Sequence, residues 1–349
     1  LNGFKESQNH LFPFKHYYHF GKSFESIEKE IVEKKSALFA ISSLFTPYFE
    51  EVKTIINLIK RHHPNSKIVV GGSHATLFPD YYLNDLKVDY VITNEGETTF
   101  ELLLNALEKE NFNTILTQSN FYSMNSRIKR SFQPILPINI AKLPHPDRSL
   151  LKKRDFKFYR KKMVSLLYSR GCSNHCRFCS SKVIFNRNYQ TRDLNDLESE
   201  IEFCIKNYEV NVFNFEDDNL LSERNKAHDL LLKLIHLNEK YNRKLEFTAM
   251  NGISIEKVDN EFVTMLKKAG FNEINISLVS TSSHIQKKLN RPFNSTHFES
   301  IACFAQKIGM NVKGYFILGL PSQTKKEIKE IFQFFKKIRI KGIPSVFYD

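Results

Sequence analysis

No stretch of the 349-residue chain approaches the roughly 18 consecutive apolar residues that a membrane-spanning helix requires. The opening residues also lack the basic start, apolar middle and small-residue cleavage site of a secretory signal, so the expected location is the cytoplasm. Cysteine is absent from residues 1–149, and all five cysteines lie after residue 170. In a chain with no secretory signal, clustered thiols point to metal rather than to disulfides. With 41% hydrophobic and 26% charged residues the composition is that of a soluble globular protein, long enough for two domains or one large barrel.

Charge is unevenly spread. Residues 1–149 carry 17 Lys+Arg against 16 Asp+Glu, whereas 150–349 carry 34 against 22. A basic second half raises nucleic acid or an anionic substrate as a partner. The plainer reading is a solvated basic face, because Lys325, Lys326, Lys329, Lys336 and Lys337 fall on the polar side of a helical pattern. The densest basic run, Lys152 to Lys162, carries no groove-reading or stacking motif and reads as an interdomain linker. The chain starts at Leu1 without Met and stops at Asp349 just after an apolar run, so truncation is expected at both ends.

The first part alternates strand and helix signals. An apolar run at 36–44 precedes Val52, Ile55, Ile56 and Ile59 at helical spacing; Ile68-Val69-Val70 ends in Gly71-Gly72. Tyr90-Val91-Ile92 then leads through Glu95 and Gly96 to Phe100, Leu103, Leu104 and Leu107. This order predicts a parallel sheet with helices on both faces and a ligand at the carboxyl ends of its strands. Gly71-Gly72 lets a ligand approach the backbone, although such a turn is also common in ordinary folds. His74 reads either as a metal or catalytic group or as a ring bonded to backbone or to the rim of a ligand.

The spacing Ser42-x-Leu44 to Gly71-Gly72 is similar to the second half of the cobalamin-binding signature. That resemblance implies a cobalamin-type site at Ser42, Leu44, Gly71, Gly72, Ser73, His74, Glu95 and Gly96. The Asp-x-His-x-x-Gly half that supplies the cobalt ligand is absent.

The strongest signal is Cys172-x-x-x-Cys176-x-x-Cys179, after a strand-like run at Met163–Tyr168. Zinc is the rival metal, but no second Cys or Cys/His pair completes a four-ligand site. Three thiolates suit an iron–sulfur cluster with one iron left open. Further strand signals at Val212–Phe215, Leu245–Ala249, Ile274–Leu278, Lys313–Leu318 and Ser345–Tyr348, with helices between them, predict a six-stranded partial barrel. Cys204 sits on an apolar helical stripe, and Cys303 has no assigned role.

Here the chain resembles the radical S-adenosylmethionine (SAM) superfamily, specifically members with an N-terminal cobalamin-binding-type domain. The resemblance implies an α/β protein: a Rossmann-like cobalamin-binding domain at 1–140, a basic linker at 141–162 and a partial TIM-type (β/α) barrel at 163–349. It implies a 4Fe-4S cluster on Cys172, Cys176 and Cys179, with SAM chelating the open iron and cleaved by one electron to a 5′-deoxyadenosyl radical. Phe178 would lie near adenine. Glu216, Asp217 and Asp218 would meet the SAM ammonium, the alternative being a solvated acidic turn. Gly314, Ile317 and Gly319 would line the adenine strand, and Arg291 would meet the methionine carboxylate.

One departure stands out: relatives commonly end the fourth strand with Glu-Ser, where this chain has Val279-Ser280. Ser277, Ser280 or Asn251 is the expected replacement, and an inactive remnant is the other reading. The function implied is a cobalamin-dependent methylase of an unactivated carbon, with a small-molecule substrate and an electron donor such as flavodoxin or ferredoxin. The alternatives are a radical SAM oxidoreductase or rearrangement enzyme, and a cluster-containing nucleic-acid-binding module. Methylthiolation of tRNA is disfavoured, since those enzymes carry three more cysteines in a first domain that here has none.

Overall fold

The computed structural model describes residues 21–123, 138–151, 156, 161–186, 188–291 and 295–347, with the backbone alone of 4–5, 17–18 and 157–158. Its contacts divide the chain into two units, Leu1–Leu136 and Pro137–Asp349.

The first unit runs β1 (Phe4–Lys5), β2 (Tyr17–Tyr18), α1 (Phe24–Glu33), β3 (Leu38–Ser42), α2 (Phe49–His62), β4 (Lys67–Gly71), α3 (Ser73–Leu77), β5 (Tyr90–Ile92), α4 (Glu97–Lys109) and β6 (Phe121–Ser123). Strands β3, β4 and β5 pair in parallel, and β6 adds to β5 antiparallel. The all-parallel expectation fails at this edge: β6 is three residues long, too short to show a period, and it returns beside β5 where Thr93 N–H bonds Asn120 O at 2.9 Å. Strand alternation supplies two cores. Ile68 and Val70 pack with Val52, Ile56 and Ile59 on one face, while Val69 packs with Ile92, Leu103 and Ala106 on the other.

The second unit runs β7 (Lys157–Phe158), β8 (Lys161–Leu166), β9 (Ser169–Arg170), α5 (Ser181–Ile184), β10 (Gln190–Thr191), α6 (Leu194–Tyr208), β11 (Val212–Phe215), α7 (Arg224–Lys240), β12 (Glu246–Thr248), α8 (Asn260–Ala269), β13 (Glu273–Val279), α9 (Ser283–Lys288), α10 (Ser295–Lys307), β14 (Asn311–Leu318), α11 (Lys325–Lys337) and β15 (Lys341–Val346). One sheet holds β12, β11, β8 and β7, with β7 antiparallel; a second holds β13, β14 and β15. The sheets meet through the isolated bridges Phe247–Phe271 and Ile253–Ile276. The strands expected for a partial barrel thus lie in two parallel three-stranded sets, β12-β11-β8 and β13-β14-β15, and the barrel is not closed. The break follows β12, which ends at Thr248; beyond it Asn275 Nδ2 donates to Ala249 O (3.3 Å) and Met250 N–H donates to Asn214 Oδ1 (3.0 Å), so side chains rather than a ladder partner meet these backbone groups.

Two further readings shift. The last strand occupies 341–346 rather than 345–348, and Pro344 within it is tolerated because β15 pairs on one side, with β14; Tyr348 lies outside the described residues. The Cβ side of Gly314 faces the helices: a Cβ there would fall 2.2 Å from the Phe335 ring and 3.0 Å from Phe298, so its hydrogen makes room for α10 and α11 against β14. Cys204 is fully buried in the same core, and Cys303 is exposed.

The segment expected to begin the linker is fastened to the second unit. Arg148 Nη2 donates to Ser165 O (2.9 Å) on β8 and to Glu200 Oε1 (2.6 Å) on α6. Arg192 grips the other Glu200 oxygen and donates to Leu167 O (3.1 Å), while His145 Nε2 pairs with Asp196 Oδ1 (2.7 Å). Most of Lys152–Lys162 lies outside the described residues. Glu200 is 1% exposed between two arginines that are 7% and 9% exposed. Glu200→Ala strands the Arg148 cation and leaves Arg192 with Asp196 alone, so chemical denaturation of the second unit is expected to show a loss of about 3–5 kcal/mol. Asp196→Asn, half-exposed, is expected to lose about 1 kcal/mol or less.

Candidate functional site

The cysteine loop leaves the carboxyl end of β8 and is fixed from below by the acidic turn after β11. Asp217 is buried, and its carboxylate accepts from Tyr168 N–H (3.2 Å), Ser169 N–H (2.5 Å) and the Ser169 hydroxyl. Asp218 Oδ2 accepts from Gly171 N–H (3.1 Å). Gly171 has φ +82°, and a Cβ there would overlap Asn188 O at 1.7 Å, so only glycine fits where the loop crosses the chain before β10. Past this crossing, Asn219 Nδ2 and Asn174 N–H each donate to Cys172 Sγ at 3.4 Å, and the hydroxyls of Ser173 and Ser222 bond at 2.9 Å.

Cys172, Cys176 and Cys179 line one cavity of about 160 Å³, together with Phe178, Asp218, Asn251 and Arg291. Asn174, Ser181, Lys182, Gly252, Ile253, Ser254 and Ser277 complete its wall. Among the described residues no three His, Cys, Asp or Glu groups converge on a single ion. A polynuclear cluster does not ask for that, because each iron takes its own thiolate. Burial pushes the Cys179 thiol up, so a thiolate there needs nearby positive charge, which iron would supply. The donor set and the space fit an iron–sulfur cluster with room beside it.

The other sequence candidates divide. Glu216 turns away from the cavity, its Oε1 accepting from Ser165 Oγ (3.0 Å) and Asn214 Nδ2 (2.5 Å). Asp217 is spent on the backbone below the loop, which leaves Asp218 as the acid of the triplet at the cavity. Ser280 is buried in the turn before α9, its Oγ accepting from Ser282 N–H (3.1 Å) and its carbonyl from Gln286. Ser277 and Asn251, the other replacements considered for Val279, do reach the cavity wall. Ile317 packs with Val279, Ile285, Leu289 and Phe178 beside the cavity, and Gly319, at φ +79°, turns the chain after β14.

Asn174, Ser181, Lys182 and Ser254 were not singled out from the sequence. Three of them lie within five residues of a motif cysteine, a proximity that could have marked them; Ser254 carries no such signal.

In the first unit the loops after β3 and β4 cross. Gly72 has φ +101°, and a Cβ there would stand 2.6 Å from Ser43 O, so the two loops cross at backbone contact. Ser43 N–H bonds Gly71 O (2.8 Å), and His74 N–H bonds Ser43 O (3.0 Å). Ser42 and Leu44 face outward, in line with exposed Phe45, Tyr48 and Phe78. Leu44 closes over the crossing, its Cδ2 3.2 Å from where a Gly72 Cβ would stand, and exposed apolar side chains beside it suit the flat face of a corrin. His74 sits lower: it is buried, burial lowers its pKa, and its Nδ1 bonds Tyr82 OH (2.6 Å), which also meets Ser43 Oγ (2.7 Å). The ring therefore pins the two loops from beneath. Ser73 opens α3, and Glu95 and Gly96 form the turn into α4, where Glu95 O accepts from Asn120 Nδ2 (3.0 Å).

A family model described as the radical SAM superfamily matches residues 166–335, and one described as the B12 binding domain matches 13–104. An uncharacterized methyltransferase of Pyrococcus horikoshii is 24% identical over 320 residues, covering 91% of this chain and 68% of its own. Cytidylyl-2-hydroxyethylphosphonate methyltransferase of Streptomyces wedmorensis is 24% identical over 337 residues, covering 86% of this chain and 61% of its own. Among solved structures, the radical SAM methyltransferase TsrM from Kitasatospora setae, with cobalamin and a [4Fe-4S] cluster bound, superposes at TM-score 0.72 and 15% identity. It covers 92% of this chain and 64% of its own. The cobalamin-dependent radical enzyme OxsB, with aqua-cobalamin and SAM bound, superposes at 0.71 and 17% identity, covering 90% of this chain and 45% of its own. The chain thus spans between under half and about two thirds of the length of these proteins.

Burial raises the Asp217 carboxyl from its ordinary value to about 7, against the pull of the three donors it accepts. In the unfolded chain the group loses its proton near 3.8. Between these two values the folded state alone holds the proton, so the Asp217 contribution to stability is largest in acid and declines from about pH 4 to about pH 7. Asp217→Asn is expected to remove this component, flattening the stability profile across that window by up to about 1.4 kcal/mol per pH unit. The check is urea denaturation at stepped pH beside the parent.

Proposed function

The chain carries a radical SAM domain behind a B12-binding domain, and on that premise we propose that it is a cobalamin-dependent radical SAM methylase acting on an unactivated carbon of a small molecule. The observation that carries the proposal is the meeting of three cysteine thiols with Asp218, Asn251 and Arg291 around one cavity at the carboxyl ends of parallel strands.

On this reading the second unit is an open (β/α) barrel of six parallel strands, and Cys172, Cys176 and Cys179 hold the 4Fe-4S cluster. When bound, the cluster, SAM and cobalamin supply the electron, the radical and the methyl carrier. The chain's own residues bind and orient. Asp218 presents the carboxylate that an ammonium of SAM needs. Asn251, Ser254 and Ser277 offer hydrogen bonds to polar parts of the same ligand. Phe178 sits with Ile317 and Val279 as the apolar wall for adenine. In the first unit the crossing at Gly72 and the rim formed by Leu44, Phe45 and Phe78 receive the corrin. A reducing compartment suits three free thiols, so the cytoplasm is the working location, with a small electron-transfer protein as donor.

Anaerobically purified, reconstituted protein is expected to hold about four irons and one cobalamin per chain, read by metal analysis and visible absorbance. The Cys172/Cys176/Cys179 triple Ala variant should lose the iron and keep the cobalamin. Gly72→Val, whose side chain would meet Ser43 O, should lose cobalamin and keep the iron. Iron without cobalamin in the parent would move the reading to a radical SAM oxidoreductase or rearrangement enzyme, and no iron would end it.

A further inference from the structure

The segment after α9 grips the cysteine loop at three consecutive residues. Leu289 O accepts from Arg177 N–H (3.0 Å), Asn290 Nδ2 donates to His175 O (3.0 Å), and Arg291 Nη1 stands 3.4 Å from Cys176 Sγ. The first two contacts hold the loop backbone on either side of Cys176. The third reaches the sulfur itself.

The guanidinium that makes it is 5% exposed and held as a fork. Nη2 donates to Ser277 O (3.2 Å) at the end of β13, while Nη1 also meets Ser254 Oγ (3.4 Å) and Glu256 Oε1 (3.3 Å). Glu256 is 12% exposed and accepts from Asn174 Nδ2 (2.8 Å), which belongs to the cysteine loop. The contacts close a ring: loop to Asn174, Asn174 to Glu256, Glu256 to Arg291, and Arg291 back to Cys176. Lysine cannot replace this arrangement, because a single ammonium lacks the planar fork that meets a carbonyl, a hydroxyl and a sulfur together.

We propose that Arg291 is a positioning residue whose N–H donates to the sulfur of Cys176 and raises the reduction potential of the cluster, with Glu256 holding the fork and offsetting its charge. The proposal rests on the three cysteines being the cluster ligands. Its physical basis is that reduction adds negative charge to the cluster sulfurs, so a donor aimed at one of them favours the reduced form, and hydrogen bonds to sulfur are among the terms that set such potentials. This use of Arg291 differs from the carboxylate contact implied by the sequence resemblance, because it operates before SAM binds. In a site of low dielectric, the opposite charges of Arg291 and Glu256 also act on the potential in opposite directions.

The test is the midpoint potential of the reconstituted cluster, measured by an electron paramagnetic resonance redox titration with no SAM added, for the parent, Arg291→Gln, Arg291→Lys and Glu256→Gln. Iron content is measured first; a parent without iron would show that the ligand assignment itself has failed. With iron present, Arg291→Gln is expected to lower the reduced-to-oxidised ratio at fixed potential about tenfold, a shift of about 59 mV toward more negative values for a one-electron couple. Arg291→Lys should recover part of the shift, and Glu256→Gln should move the potential the other way. A potential unchanged in Arg291→Gln would overturn the proposal and leave Arg291 to ligand binding. Should Arg291→Gln fail to keep its cluster, the sign in Glu256→Gln decides: an unchanged or more negative potential there overturns the proposal as well.

Discussion

The cysteine loop hangs from two carboxylates. Asp217 and Asp218, at the end of β11, accept the backbone N–H groups of Tyr168, Ser169 and Gly171, the residues through which the chain passes from β8 into Cys172. Parallel pairing of β8 with β11, Leu166 opposite Phe215, brings the two strand ends level and makes these bonds possible. Burying a carboxylate is costly, and the three donors that meet Asp217 offset only part of that cost, so its carboxyl stays raised to about 7. The loop geometry, the cavity and the approach of the segment after α9 all follow from that fixed starting point.

Around it, charge is used in buried sets rather than as a field. Arg148 and Arg192 share Glu200 and hold the carbonyls of Ser165 and Leu167, gripping the end of β8 from the helix side. Arg291 shares Glu256 with Asn174 and holds the carbonyl of Ser277 at the end of β13. In both sets the cation ties a strand terminus to a neighbouring element, and a carboxylate balances it. The basic excess of the second half is of another kind: Lys325, Lys326, Lys329, Lys336 and Lys337 are all exposed along α11. Glu327 and Glu330 lie among these lysines on α11, so the helix is a mixed, solvated face.

What the sequence disclosed, it disclosed through period and spacing. Apolar runs placed β3, β4, β5, β8, β11, β13 and β14, and the cysteine spacing alone marked the loop that the cavity surrounds. What it hid depended on direction. Gly314 and Ile317 looked alike as members of an adenine strand, but alternation sends Gly314 toward Phe335 and Ile317 toward Phe178. Ser42 was singled out where its neighbour Ser43 is the buried partner of Tyr82, a one-residue step that moves a side chain to the opposite face. Glu216, Asp217 and Asp218 read as one acidic patch, and the structure sends them in three directions. Asn174, Ser254 and Glu256 are single polar residues in loops, and their part emerges only when the fold sets them beside Arg291.

The departure at the end of β13 carries the same lesson into energetics. Val279 has φ +71°, a backbone conformation that β-branched residues avoid, and it follows a register shift in the pairing of β13 with β14. Strain of this kind costs about 1–3 kcal/mol and persists where the surroundings fix the conformation. Here Ile285, Leu289 and Leu320 enclose the buried side chain, with Phe178 and Ile317 packed against it. The valine thus belongs to the apolar wall packed against Phe178 of the cysteine loop, and it offers no hydrogen bond where the resemblance places an acid. Ser277 reaches the cavity two residues earlier on the same strand, and Asn251 reaches it from the turn after β12, held by its Nδ2 to Glu216 O at 3.0 Å. The bulge that turns Val279 inward also leaves Ser277 as the last residue of β13 whose side chain lines the cavity, so the substitution and the register shift are consistent parts of one local solution.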